Sequence, residues 1–453
     1  MAEGAFNKLV PIFTSHIIQG GKKMKSFFDW LEKYLLPPMT KLSEQRHLRA
    51  IRDGIISTIP MIIVGSFFLI IAFPPVPSWA AAVKPYILKI LFPYRLTMGI
   101  MALYAAFGIG YSLAKSYKLN ELSGGSLAVV AFLLTNLPVA VDKPDLGWVL
   151  PLENLGGSGM FVAIIMSIFA VEVLRFTKEK KLTIKMPEGV PESVANSFAA
   201  LIPAAVIIIT VFIVRHIINF DIQQFIMKIF QPLVYAGNTL PGALIPTLLV
   251  ALLWACGIHG DSIVGTVARP IWLTLLDANT KAHASGATLL PNIAPEPFFQ
   301  WFVWIGGSGA TIGLVVMMVF SRSKYLKDIG KASLIPGICN INEPVIFGAP
   351  IMLNPLFMIP FVLAPLVECL ISWGAMSANL VSRPFILAPW TLPAPIGAYL
   401  ATGGDWRAIV LVCINILISA LIYYPFFKAY EKNLIKEQEA NVQSASNSNQ
   451  LEL

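Results

Sequence analysis

Charge is scarce in this chain. Asp, Glu, Lys and Arg together make up 13% of 453 residues, about half the share found in soluble globular proteins. With 56% hydrophobic residues and a mean hydropathy of +0.71, that scarcity excludes a soluble domain and requires a polytopic membrane protein. Cysteine is also sparse. Cys256, Cys339, Cys369 and Cys413 stand singly in apolar stretches, which excludes a disulfide framework or a metal-ligand spacing and leaves buried free thiols. There is no phosphate-cradling Gly-rich loop, no dinucleotide fingerprint, no metalloprotease helix motif and no soluble stretch large enough to use ATP. No metal or cofactor is therefore expected, and energy for any work must come from an ion gradient or a partner protein. The net charge of +8 does not imply nucleic acid, because the basic residues occupy short loops between apolar runs, where membrane topology places them.

Apolar runs of membrane-spanning length are predicted at 51–73, 96–114, 122–141, 160–174, 193–214, 241–260, 297–321, 354–376 and 408–427. Lys25, Lys33, Lys41, Arg46, Arg49 and Arg52 precede the first, so the N-terminus is expected in the cytoplasm. Alternation then puts Lys115 and Lys118 inside, the basic run from Arg175 to Lys185 inside, and the loop with Asp142, Lys143, Asp145 and Glu153 outside. Nine spans would leave the basic loop 322–331 outside. Counting 263–276 as a crossing, despite Arg269-Pro270, gives ten and returns both this loop and 428–436 to the cytoplasm. The expected fold is an all-α integral membrane protein of about ten transmembrane helices, two re-entrant hairpins and interfacial amphipathic helices.

Residues 219–237, with Phe220, Phe225, Ile226, Ile229 and Phe230 interleaved with Asp221, Gln223, Gln224 and Lys228, read as an interfacial amphipathic linker. It separates an N-terminal half, 24–218, from a C-terminal half, 238–430. The hairpins are placed at 284–297 and 335–350, and a third broken stretch, 385–404, contains Pro389-Trp390 and Pro393-Ala394-Pro395. Residues 1–23 lack a cleavable signal pattern, and Met24-Lys25-Ser26-Phe27-Phe28 reads as a natural start, so 1–23 is expected to be an extension. The Gln-, Asn- and Ser-rich end, 431–453, is expected to be a disordered cytoplasmic tail. Gly-Gly-Ser-Gly occurs at 156–159 and again at 306–309; close helix packing accounts for it as well as a repeat does.

Glu343 carries the strongest functional signal. It sits in Asn340-Ile341-Asn342-Glu343-Pro344, and no other Asp, Glu, Lys or Arg lies between Ala332 and Val367. A carboxylate in such apolar surroundings is costly and marks a ligand, a proton or a partner charge. Pro336-Gly337 and Pro344 are expected to break the helix, leaving the carboxylate on irregular backbone, which persists at membrane depth only where it is buried or lines a wet cavity. Cys256-Gly257-Ile258-His259-Gly260-Asp261 ends an apolar run with a histidine between glycines, open to a ligand hydrogen bond; a packing histidine is the alternative. Asn292, in Pro291-Asn292-Ile293-Ala294-Pro295-Glu296-Pro297, echoes the Asn-Glu-Pro pattern, and its amide both donates and accepts, as sugar hydroxyls require. It would otherwise only satisfy loose hairpin backbone. Glu296 reads as structural. Among Trp254, Trp301, Trp304, Trp373 and Trp390, the first and last are least easily explained as interfacial anchors.

Asn340-Ile341-Asn342-Glu343-Pro344-Val345-Ile346-Phe347-Gly348, with Gly257-Ile258-His259-Gly260 and Gly306-Gly307-Ser308-Gly309-Ala310-Thr311, resembles the membrane component, enzyme IIC, of bacterial phosphoenolpyruvate:sugar phosphotransferase systems. Pro37-Pro38-Met39, Gln45-Arg46-His47-Leu48-Arg49 and Pro151-Leu152-Glu153-Asn154-Leu155-Gly156-Gly157 are similar to the lactose, cellobiose and diacetylchitobiose branch, over about 24–436. The resemblance implies ten transmembrane helices, two re-entrant hairpins, a homodimer built on the N-terminal half and one disaccharide site in the C-terminal half. It maps the catalytic pair onto Glu343 and His259; Trp254, Asn292, Asn342, Asn154 and Trp390 are the expected sugar contacts. The phosphoryl-carrying cysteine would belong to a cytoplasmic IIB partner, itself served by IIA, and this chain would be the IIC subunit of a bacterial cell membrane with both termini inside. An ion-coupled sugar symporter is the alternative, since it too needs intramembrane carboxylates and broken helices. A lipid-modifying enzyme would need interfacial His and Asp clusters that the sequence lacks.

Overall fold

The computed structural model describes residues 34, 37–38, 41 and 45–451, apart from 75–76, 142–146, 185, 188, 350 and 352–353. The expected extension 1–23, the start at Met24 and the loop charges Asp142, Lys143 and Asp145 lie outside the described residues.

Helices dominate; among the described residues the strands are Val139–Ala140 and Trp148–Val149, an antiparallel pair. The first half is built from α1 (Arg46–Ile56), α2 (Ile59–Ala72), α3 (Met101–Ser116), α4 (Glu121–Leu133), α5 (Met160–Glu179) and α6 (Leu201–Phe212). Local chemistry sets their starts. Gln45 Oε1 accepts from the Leu48 amide at 2.7 Å and Asn120 Oδ1 from the Ser123 amide at 2.8 Å, each satisfying a first-turn N–H that the helix itself leaves free. The amphipathic linker forms α7 (Ile222–Gly237), capped by Asp221, and turns through 78° into α8 (Leu240–Ala255). Pro241 at the first turn suits a helix start, where its missing N–H leaves no bond unmade.

The second half continues with α9 (Gly260–Ala284), α10 (Glu296–Phe302), α11 (Ile312–Val319), α12 (Lys324–Ile338), α13 (Glu343–Gly348), α14 (Pro355–Ser377), α15 (Ala394–Ala401) and α16 (Trp406–Leu451). Among the described residues six helices are long and apolar enough to cross a membrane, or seven if the bent α7–α8 pair is one span. Two of the expected spans and one expected helix break differ from expectation, with visible causes. The region 263–276 lies inside one helix of 25 residues that carries Asp261, Arg269, Asp277 and Lys281, long enough to cross but too charged to pass as an apolar run. The region 297–321 is two short helices around a turn in which Gly306, Gly307 and Gly309 all have positive φ, a conformation other residues adopt only with strain. Pro336-Gly337 does not end α12, which runs on to Ile338. A single proline removes one helix bond, and packed membrane helices absorb that loss. The chain breaks instead at Asn340, with φ 61°. Within 431–453, where composition predicts a disordered tail, α16 continues to Leu451.

One core gathers α2, α3, α5 and part of α9; two others fill the second half around Trp301, Phe298 and Phe299, and around Phe357, Phe361 and Tyr423. Helix α9 joins the halves. Thr274 Oγ1 donates to the Gly157 carbonyl at 3.0 Å, while Lys281 reaches Asp277 at 2.8 Å and the Glu153 carbonyl at 3.2 Å. The Leu-Glu-Asn-Leu-Gly-Gly turn is thus the seat of α9 in the first half.

Candidate functional site

Two helix breaks in the second half bring the polar residues together. At the α8–α9 elbow, Gly257 takes φ 85° and His259 becomes the N-cap of α9. Its Nδ1 accepts from the Ser262 amide at 3.3 Å. A backbone N–H can only donate, so the neutral imidazole carries its proton on Nε2 and presents a donor there. The His259 ring lies against Trp254, centroids 4.4 Å apart. Trp254 donates through Nε1 to Asp261 Oδ2 at 2.7 Å, and the same oxygen accepts from Ser308 Oγ at 2.6 Å. Asp261 therefore fixes the indole and ties the elbow to the glycine turn between α10 and α11.

The second break is the α12–α13 turn. Asn340 Oδ1 accepts from the Gly306 amide at 3.0 Å, and its Nδ2 donates to the carbonyls of Trp390, at 2.9 Å, and Leu392, at 3.0 Å. Asn342, buried, donates to the Ser308 carbonyl. A Cβ on Gly307 would stand 2.3 Å from Asn342 Cγ, so glycine is required for the two turns to meet. These bonds hold Glu343 as the first residue of α13, with Pro344 following it as a helix-starting residue. The Glu343 carboxylate has no hydrogen-bond partner among the described residues, while its neighbours spend their polar atoms on the frame.

Both turns open on one cavity of about 330 Å³, walled by Trp254, His259, Asp261, Arg269, Glu296, Gln300, Trp304, Ser308, Asn342, Glu343 and Trp390, with Ile59 and Ile63 of α2 contributing an apolar side. That is the size and mix expected of a small-molecule site: aromatic and aliphatic walls with a few convergent polar groups. Arg269 Nε donates to Glu296 Oε1 at 2.9 Å inside it.

The cavity unites Glu343, His259, Trp254, Asn342 and Trp390. It does not include Asn292 or Asn154. Asn292 Nδ2 donates to the Leu275 carbonyl at 3.0 Å, and its Oδ1 accepts from Asn238 at 3.0 Å. Asn279 adds bonds of 2.8 Å to both the amide and the carbonyl of Asn292. The residue holds the 285–295 loop against α9 and α7, which is the backbone-satisfying role its sequence equally allowed. Asn154 is exposed on the turn that seats α9. Asp261, Arg269, Glu296, Gln300, Trp304 and Ser308 were not singled out from sequence as site residues. The one signal available was a charge in or beside an apolar run: Arg269 lies within 263–276, and Asp261 lies between 241–260 and 263–276.

Residues 52–365 match the family described as Phosphotransferase system, EIIC. The chain belongs to that family. The cellobiose-specific EIIC component of Geobacillus stearothermophilus is 40% identical over 92% of this chain and 97% of its own length. The lactose-specific EIICB component of Staphylococcus haemolyticus is 33% identical over 92% of this chain and 73% of its own length. Among solved structures, the transporter ChbC, the IIC component from the N,N'-diacetylchitobiose-specific phosphotransferase system, superposes with a TM-score of 0.86 at 43% identity, covering 90% of this chain and 99% of that one. This EIIC chain is accordingly a multi-pass, mostly helical membrane protein of a sugar permease family, and its cavity is read below as an EIIC site.

Proposed function

We propose that this EIIC chain binds a β-linked disaccharide of the cellobiose or diacetylchitobiose kind from outside. It moves the sugar across the membrane and presents a 6-hydroxyl to the phosphocysteine of a cytoplasmic IIB protein. The observation that carries this reading is Glu343: an uncommitted carboxylate, positioned by Asn340 and Asn342, in the same cavity as the Trp254–His259 ring pair. Aromatic faces take the apolar C–H faces of a sugar, and the Nε2–H of His259 and the carboxylate of Glu343 take its hydroxyls. The names of the relatives, cellobiose-, lactose- and diacetylchitobiose-specific, support the substrate class, and an EIICB relative supports a IIB partner.

In the transfer step the hydroxyl oxygen attacks phosphorus, the S–P bond breaks and the thiolate leaves with its electron pair. Glu343 accepts the hydroxyl proton, which requires hydrogen-bond reach. The remaining work is alignment of nucleophile and phosphoryl group. The product is charged and no longer fits a neutral-sugar cavity, so phosphorylation makes transport one-way. Orientation with both termini inside, a homodimer on the first half and movement of the second half about α7 complete the proposal.

Membrane vesicles test it. With phosphorylated IIB inside, external cellobiose should accumulate as sugar phosphate; without IIB it should only equilibrate. Accumulation of unmodified sugar driven by a proton or sodium gradient would replace this reading with symport.

A further inference from the structure

A second opening lies away from the sugar cavity, at the end of the membrane run of α16. Its volume is about 430 Å³, and Arg322, Lys428, Glu431, Lys432 and Ile435 line it. Arg322 lies on the turn between α11 and α12, and the other four belong to α16. The apolar run 408–427 stops one residue before Lys428. The opening therefore sits where α16 leaves the hydrocarbon.

Glu431 builds the site. It is 4% exposed, and both its oxygens are occupied. Oε1 accepts from Ser321 Oγ at 2.6 Å and from the Arg322 amide at 2.8 Å, while Oε2 accepts from Lys428 Nζ at 2.7 Å. These bonds pin the α11–α12 turn to α16 and use up the one carboxylate of the opening. The cations outnumber it. Arg322 and Lys432 are exposed, and their side chains have no hydrogen-bond or ion-pair partner among the described residues. On the first turns of α12, Lys324, Lys327 and Lys331 are exposed as well, against Asp328 alone.

The surface that leads to this charge is apolar. On α16, Leu417, Leu421 and Tyr424 are exposed and, spaced by four and three residues, share a helix face with Lys428. At the end of α11, Val316 and Phe320 are exposed one turn apart, and Phe320 stands two residues before Arg322. The two helices meet closely: a Cβ on Gly313 would stand 2.8 Å from Ala420 Cα. Two apolar stripes on adjacent membrane helices thus end at the same fixed positive charge.

We infer that this opening binds the phosphate head group of an anionic phospholipid, with Arg322 and Lys432 on the phosphate and the acyl chains along the stripes of α11 and α16. Basic pockets between helix ends take such head groups, and a guanidinium matches two phosphate oxygens at once. An acidic face of a soluble partner would use the charges but not the stripes, which lie at membrane depth. Lipid uses both. The site is independent of which sugar the permease carries.

The test takes the purified full-length protein, delipidated in neutral detergent, and adds phosphatidylglycerol, phosphatidylcholine or inorganic phosphate, reading melting temperature and native mass. Phosphatidylglycerol should raise the melting temperature and stay bound, and the other two should do much less. Arg322→Gln/Lys432→Gln should need about tenfold or more phosphatidylglycerol for the same rise. Lys115→Gln/Lys180→Gln, which removes two exposed cations of the first half, should respond as wild type. If the first double variant does not fold, Lys432→Gln alone should show a smaller shift in the same direction. Equal responses to both lipids, or equal losses in both double variants, would overturn the site in favour of general surface charge. Inorganic phosphate acting as well as the lipid would leave the stripes without a part and overturn the lipid assignment. A folded Arg322→Gln/Lys432→Gln protein with an unchanged lipid response also overturns it. If that protein has lost transfer from phosphorylated IIB or changed its oligomeric mass, the charges belong to a protein contact instead.

Discussion

Trp254 Nε1 donates to Asp261 Oδ2 at 2.7 Å, and Ser308 Oγ donates to that same oxygen at 2.6 Å. One carboxylate oxygen thereby locks the indole of α8 to the glycine turn whose Ser308 carbonyl is held by Asn342, next to Glu343. Asp261→Ala should free the indole and slacken the turn together. Loss of bonds to a charged acceptor costs about 1.5–3 kcal/mol, so sugar affinity, measured by titration calorimetry, should fall by a factor on the order of ten or more. Unchanged affinity in a folded variant would show that Trp254 is held by packing alone.

Glu343→Gln is expected to lose phosphoryl transfer far more than binding. Gln keeps the shape and one acceptor oxygen, so hydrogen bonds to the sugar partly persist, while proton acceptance ends. Separate measurement of sugar affinity and of transfer from phosphorylated IIB decides the matter. Equal, large losses in both would make Glu343 a binding residue without a special part in the chemistry.

For His259→Ala the expected loss is in affinity, about 1–3 kcal/mol, through removal of the imidazole of a cavity-lining residue and of its ring contact with Trp254. Thermal stabilisation of the variant by sugar, compared with wild type, reads it. Wild-type stabilisation in the variant would return His259 to a role as helix cap, made through Nδ1 to Ser262.

Gly307→Ala should damage the site from within the frame. The added methyl would meet the Asn342 side chain at 2.3–2.7 Å, and the backbone φ of 96° already disfavours it. The turn carrying Glu343 would have to shift, so transfer should fall more steeply than melting temperature. A variant with full transfer activity would mean that the two turns need not meet as closely as they do here.

Asp405 gives the acid dependence of stability. Partial burial pushes its carboxyl up, but hydrogen bonds from Arg407 and Ser382 outweigh this and hold it at about 2, below the usual 3.8. A depressed carboxyl stabilises the fold fully above the unfolded value and loses that contribution as pH falls through the folded one. Asp405→Asn should therefore melt below wild type at neutral pH, with the gap closing between about 4 and about 2. A gap independent of pH would place its cause elsewhere than in the carboxylate's charge.

How much of this was legible in the sequence differs by residue. Membrane character, the amphipathic helix Ile222–Gly237 and the exceptional status of Glu343 follow from local hydropathy and charge. The burial cost of a charge in lipid acts on each residue singly, so a linear reading can find it. His259 and Trp254 share a six-residue stretch that includes a glycine, and their pairing is local for the same reason. The break inside 297–321 needed three glycines to adopt positive φ together, a choice dictated by what packs against them.

Only the tertiary structure decided which polar side chains face a ligand and which are consumed by the frame. Asn342 and Asn292 stand in similar Asn-Glu-Pro settings, yet Asn342 lines the cavity while Asn292 is spent on Leu275, Asn238 and Asn279. Arg269 and Glu296, 27 residues apart, meet at 2.9 Å because α9 and α10 pack together. A side chain's hydrogen-bond partners are fixed by distances of about 3 Å between segments remote in the chain. Hydropathy and spacing fix where each segment lies in the membrane, but those distances exist only once the segments have folded against one another.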